Sequence, residues 1–273
     1  EICEYMFEAL RSCVNEGMPP GELILSIQAM QFLMTNQPAA FKQHCPCGVH
    51  VLVQLLQLAA NPTIGDILLQ AEILSLLLFV VHPENDVNVS LSDVADMLQV
   101  LAGIFPCSDS GGIVELSEDA CKICSQAALL VASCCKRWSS VMKIAPLIRQ
   151  ALLACQEGLT LVGHKSLAAG YLDHASLSLS CWCAAACGNA TIESLIECLH
   201  IFTNFFFPTM QLAWPHLVHV DSVLHGVDAL TALLLCGARS LNDQHNIDII
   251  PAFCQGAVAS GALAWCFRVL AAT

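Results

Sequence analysis

The chain has 273 residues, 56% apolar and only 12% charged, with 23 acidic against 10 basic side chains and a formal net charge of −13. So apolar a composition excludes a disordered segment, and the acidic balance argues against general nucleic-acid binding, which draws on a basic surface. A free-standing globule carries more charge than this, so part of the apolar surface is expected to be covered by partners or by other parts of a larger protein. The start at Glu1, without a methionine or a basic region leading into an apolar run, fits a segment of that larger protein.

Ile2 to Glu16 reads as a first helix, with Tyr5, Met6, Ala9, Leu10 and Cys13 on one side and Gly17 ending it. After Pro19-Pro20 a second helix is predicted over Leu23 to Met34 through Leu23, Ile27, Met30 and Met34. A short helix over Ala39 to His44 follows Pro38, and Val49 to Ala59 carries Leu52, Leu55, Leu56 and Ala59. Asn61-Pro62 then opens the stretch around which the chain is organised, PTIGDILLQAEILSLLLFVVHP. Ile64, Ile67, Leu68, Ala71, Leu74, Leu78 and Val81 recur there at helical spacing, and Leu76, Leu77 and Phe79 widen the apolar surface beyond one stripe. Such a helix needs neighbours on more than one side.

Ser90 to Phe105 resumes a helix through Leu91, Val94, Met97, Leu98 and Leu101, with Ser90 or Ser92 as cap and Asp93 and Asp96 favoured by the helix dipole. Pro106 to Gly112 is a loop, and residues 106–116 form a weak internal junction. Ala120 to Trp138 is predicted as a long helix and Val141 to Gln156 as another, interrupted or restarted at Pro146. Gly158 to Gly170 is ambiguous; Leu172 to Ala186 favours helix over the strand that its SLSLS alternation suggests. Ile192 to Phe206 is expected to end at the Phe205-Phe206-Phe207-Pro208 patch, and Val218 to Cys236 and Pro251 to Ala271 complete the series. Long extended runs bounded by hairpin turns do not occur, so a sandwich or barrel is not expected.

The run from Pro38 to Val81, with its short, medium and long helices and Pro62 before the third, resembles a unit of the armadillo and HEAT superfamily of α-solenoids, about 40 to 47 residues long. Leu52, Leu55, Leu56, Ile67, Leu68 and Leu74 stand at its packing positions. The resemblance implies an all-α, irregular armadillo/HEAT-like helical solenoid, Gly158 to Gly170 departing from a regular unit. It further implies a non-enzymatic scaffold or adaptor that binds protein partners through its helical surfaces.

Six of the basic residues, Lys122, Lys136, Arg137, Lys143, Arg149 and Lys165, fall in the middle of the chain, and none lies between Ser166 and Ala238. Lys136 and Arg137 near one helix end and Lys143 and Arg149 on the next segment are the predicted partner-binding residues, a dock for an acidic peptide; the competing reading is a solvated face. Two alternatives compete with the scaffold. A polytopic membrane segment would use Cys198 to Val220 and Ile249 to Phe267, which lack Asp, Glu, Lys and Arg, but His, Asn, Pro and Gln interrupt the first, Pro251 and Gln255 interrupt the second, and no basic cluster flanks them. An enzyme or zinc-stabilised domain would use His44-Cys45-Pro46-Cys47-Gly48-Val49-His50, Cys121-x-x-Cys124 with Cys134-Cys135, or Cys181-x-Cys183-x-x-x-Cys187. The first has no second pair at finger spacing, a helix holds Cys124 about 15 Å from Cys134, and on a continuous helix Cys181 points away from the face that Cys183 and Cys187 share. Asp173-His174 and His225-Gly226-Val227-Asp228 supply neither nucleophile nor oxyanion site. No metal, cofactor or catalytic residue is therefore predicted. Seventeen cysteines, an odd number set largely in apolar helical patterns, predict reduced thiols and an intracellular setting, cytoplasmic or nuclear. The glycosylation patterns at Asn88-Val89-Ser90 and Asn189-Ala190-Thr191 would matter only in the secretory pathway.

Overall fold

Helices follow one another along the chain in the computed structural model, and no strand occurs among the described residues. These are residues 2–16, 19–44, 46–60, 67–85, 87–105, 118–138, 145–160, 172, 175–177, 179–180, 192–213, 221–240, 255 and 258. The strand reading of 172–186 gives way to helix at each position described there, and the 106–116 junction and most of 251–271 lie outside the described residues.

Helix α1 (Ile2–Glu16) buries Phe7 and Leu10, a pair three residues apart, while Tyr5, expected on the inner face, is 76% exposed. Helix α2 (Pro20–Asn36) starts earlier than predicted because Pro20 stands in its first turn, where a missing N–H costs nothing. Its inner stripe is Leu23, Ile27 and Met30. Helix α3 (Pro38–His44) is followed by α4 (Pro46–Ala59), which begins three residues before the predicted Val49 and so takes Gly48 into its first turn. A side chain is excluded there: a Cβ on Gly48 would lie 2.0 Å from two atoms of the Phe7 ring. Phe7 also faces Phe41, with centroids 6.1 Å apart, and Phe41 meets Phe79 edge-on at 5.8 Å, so an aromatic relay links α1, α3 and the next helix.

That next helix, α5 (Ile67–Val81), is the hub. It packs against α2, α4 and α7 (Glu118–Trp138), so the demand for neighbours on several sides is met. Its buried residues are Leu69, Ile73, Leu74, Leu76, Leu77, Val80 and Val81, whereas Ile67 and Leu68, expected at packing positions, are exposed. Residues 61–66, including the predicted Pro62 start, lie outside the described residues. Polar clamps fix the hub. Gln28 and Gln31 on α2 donate to the Glu72 carboxylate at 3.2 and 2.6 Å, and Gln70 donates to the Ala59 carbonyl at the end of α4 at 2.6 Å.

Helix ends leave carbonyls without intrahelical partners, and three of those at the end of α5 are taken up. The backbone N–H of His82 donates to Leu78, the Asn85 amide to Phe79 at 2.7 Å, and Arg137 on α7 to Val80 at 3.4 Å. Helix α6 (Leu91–Ile104) is capped by Ser90, not Ser92: the Ser90 side chain accepts from the Asp93 N–H at 3.1 Å and donates to the Asp93 carboxylate at 2.6 Å. Val94, Met97, Leu98 and Leu101 are buried as predicted, and Leu91 is exposed.

Helix α8 (Ala145–Thr160) has Pro146 in its first turn and runs through Gly158; residues 139–144, where the two readings of that proline differ, lie outside the described residues. Helix α9 (Ile192–Ile201) does not stop at the phenylalanines. It widens into a π segment (Phe202–Phe206) and continues as α10 (Phe207–Ala213), so Pro208 lies inside a helical run that was expected to end before it. The missing N–H of Pro208 explains the widening, since it removes one regular rung. Phe207 instead donates one residue further back, to the Phe202 carbonyl. The Phe205 carbonyl accepts from Thr209 Oγ1 at 2.6 Å and from Gln156 on α8 at 3.1 Å. Phe202, Phe206 and Phe207 stack into a buried cluster, and helix α11 (Asp221–Ser240) sets Gly226 against it: a Cβ there would lie 2.4 Å from Phe206. Helix α11 also passes Gly237, where a break was expected.

Packing follows chain order. Helix α1 touches α2, α3 and α4; α4 touches α5 and α6; α6 touches α7 and α8; α8 touches α9, the π segment and α10.

Candidate functional site

The predicted basic dock is distributed unevenly in space. Lys136, in the last turn of α7, is exposed. Arg149, in the first half of α8, is exposed and lies over the Phe205 ring with its guanidinium carbon 4.9 Å from the centroid. Arg137 is half-buried and turned inward, donating to the carbonyls of Val80 and Val87 and stacking on Trp138 at 4.6 Å. Lys143 lies outside the described residues. Lys122 stands 3.9 Å from Asp119 on its own helix.

Cysteines of the metal-like groups go into the core where their side chains are described. Cys124, Cys134, Cys135 and Cys198 are buried, Cys134 and Cys198 as free thiols, and Cys124 points its sulfur at the Ile104 carbonyl, 3.9 Å away. Among the described residues no group of His, Cys, Asp and Glu side chains could hold a metal. The side chains of His44, Cys45, Cys47 and Cys121 and the Cys181 group lie outside those residues.

Burial pushes the Cys134 thiol well above its ordinary value, and the nearby Arg137 charge only partly opposes this. Native Cys134 is therefore protonated and inert at neutral pH: iodoacetamide at pH 7.5 should label it only after denaturation, as peptide mass mapping reports. The raised value also sets a sign for stability. Below about pH 8.5 the thiol is protonated folded or unfolded; above it the unfolded chain releases a proton that the folded chain keeps, so stability falls by at most about 1.4 kcal/mol per pH unit. Cys134→Ala should flatten that alkaline slope.

A second feature was not legible as a site in the sequence. Between α4 and α6 runs an open groove of about 640 Å³, within the range of about 300–1,000 Å³ usual for ligand clefts. From α4 come His50, Gln54 and Gln57, at steps of four and three that align them on one face; from α6 come Asp96, Gln99 and Gly103, at steps of three and four. Val53 and Val100 supply apolar lining. At one end His50 Nδ1 stands 3.4 Å from Asp93, while the Gln54 amide lies 3.0 Å from His50 Nε2. Side chains thus flank both ring nitrogens of His50.

No family model, curated protein or solved structure matches this chain. The groove and the exposed surfaces must therefore be read from their own chemistry. Sequence reasoning missed the groove although its signal was present: polar residues at helical spacing on α4, a helix otherwise almost wholly apolar. Nothing local says that α6 supplies the facing wall.

No helix among the described residues is long and apolar enough to cross a membrane. Cys198 to Ala213, the described part of the first uncharged run, crosses the end of α9, the π segment and α10, and most of Ile249 to Phe267 lies outside the described residues.

Proposed function

We propose that this chain is a non-enzymatic scaffold or adaptor, an irregular armadillo/HEAT-like solenoid that binds protein partners through its helical surfaces. The observation that carries the reading is the outer face of α2. Leu25 and Phe32, seven residues apart and so on one face, are 68% and 66% exposed, with Ala29 exposed between them. Side chains of this kind on a regular, well-packed helix are what a protein interface covers. Packing that advances along the chain, each helix meeting neighbours close in order, supports the solenoid. A dock for an acidic segment on Lys136, Arg137, Lys143 and Arg149 completes the proposal, with Lys136 and Arg149 as cations directed to solvent and Arg137 holding the end of α7 in place. Buried thiols used as small apolar residues support a reducing, intracellular setting.

The test is crosslinking mass spectrometry on the full-length protein isolated from cells, followed by affinity measurements with the captured partner. Leu25→Ser with Phe32→Ser should weaken binding at least tenfold without lowering the melting temperature, because both side chains point outward. Neutralising Lys136, Lys143 and Arg149 together, with Arg137 kept, should weaken an acidic partner further. Partners that crosslink to other surfaces and bind both variants unchanged would defeat the reading.

A further inference from the structure

The four glycines that the fold places inside helices with their surroundings defined divide into two kinds. Gly48 and Gly226 are required by packing, since a phenylalanine ring occupies the space of each missing side chain. Gly103 is different, as is Gly21 in the first turn of α2: it lies in the last turn of α6, it is exposed, and a Cβ there would meet nothing within 4 Å. Glycine disfavours a helix relative to alanine, and no contact with the described residues explains it here. It lines the α4–α6 groove, where the bare backbone keeps that end of the cleft open.

The groove's charges sort in the same direction. Asp93 is engaged by Ser90, by the cap and by His50. The side chain of Asp96, one turn on and exposed, makes no hydrogen bond or ion pair with the described residues, and no Lys or Arg is among the described residues that line the groove. A phosphate ligand therefore finds no permanent cation there, and the one aromatic ring among the described lining residues is the imidazole of His50, which Asp93 and Gln54 flank. Gln57 and Gln99, exposed on opposite walls, each offer an amide donor and an acceptor, the two groups that a peptide main chain presents in alternation.

We propose that the α4–α6 groove binds an extended peptide segment carrying a lysine or arginine, whose cation pairs with Asp96 while Gln57 and Gln99 hold its main chain and Gly103 leaves room for it. The acidic charge of the whole chain steers such a segment toward the cleft. This site is separate from the α2 face and from the basic dock, and it stands or falls without them.

Fluorescence anisotropy of the full chain with labelled, end-blocked random decamer pools tests it, the central position being fixed as Lys, Arg, Ser or Glu. The Lys and Arg pools should bind at least tenfold more tightly than the Ser and Glu pools. Asp96→Asn should remove most of that preference, and Gly103→Met, which fills the groove, should abolish binding of every pool. Circular dichroism and melting temperature should stay unchanged in Asp96→Asn, and unchanged or slightly raised in Gly103→Met. Equal binding of all four pools, tighter binding of the Glu pool, or a basic preference that survives both substitutions would overturn the proposal.

Discussion

Gly48→Ala is expected to lower the melting temperature by about 4–8 °C. The added carbon would sit 2.0 Å from Phe7 Cδ1 and Cε1 and 2.4 Å from Cζ, far inside van der Waals contact. Phe7 is 4% exposed and abuts Phe41, which in turn meets Phe79 of α5, so the ring cannot swing aside without disturbing α3 and the hub helix. Overpacking of this kind costs about 1–3 kcal/mol and occasionally more, while the better helix propensity of alanine returns at most about 1 kcal/mol. Sterics win, and in a chain of this size each kcal/mol moves the melting temperature by about 2–4 °C. Differential scanning calorimetry of Gly48→Ala, Phe7→Leu and the double variant should show a favourable coupling, because the smaller side chain vacates the space that the methyl needs. A Gly48→Ala protein that melts with the parent would contradict the α1–α4 contact.

Arg137→Ala should destabilise the protein by about 3 kcal/mol, whereas Lys136→Ala beside it should stay within about 0.5 kcal/mol. The two residues were grouped by sequence as one basic patch, yet only Lys136 is directed to solvent. Arg137 bridges the end of α5 to the following segment by donating to the carbonyls of Val80 and Val87, both residues buried, and its positive charge meets the negative end of the α5 dipole. Removing the guanidinium leaves both carbonyls without that donor and uncovers Trp138. Arg137→Lys keeps the charge but loses the planar fork and the stack, so it should recover less than half of the loss. Guanidinium-chloride unfolding of the three variants separates these cases; equal, small effects at both positions would place Arg137 with the solvent-facing cations. The distinction matters for the proposed acidic-partner dock, because a variant that also neutralises Arg137 weakens the fold and the binding surface together.

Helix positions followed from the sequence because the forces that set them are local. Apolar residues at steps of three and four located α1 to α8, and the pair Ser90 and Ser92 marked the start of α6, of which Ser90 is the cap. The need of α5 for several neighbours was likewise written in its composition. What periodicity could not decide was which part of a nearly uniform apolar cylinder faces inward. Ile67 and Leu68 have the same character as Leu76 and Leu77, and only the placement of α2, α4 and α7 leaves the first pair at the surface and buries the second. The same limit hid the roles of single residues. Gly48 is required because Phe7, from another helix, occupies its space; Arg137 is structural because Val80 and Val87, some fifty residues earlier, present carbonyls to it. The π segment records a conflict between a local rule, that proline interrupts a helix, and a tertiary one, that Phe202, Phe206 and Phe207 must share a buried cluster; burial of three rings outweighs one lost rung. The α4–α6 groove belongs to this second category: each wall is a polar stripe that sequence displays, but a cleft exists only where packing sets two such stripes face to face.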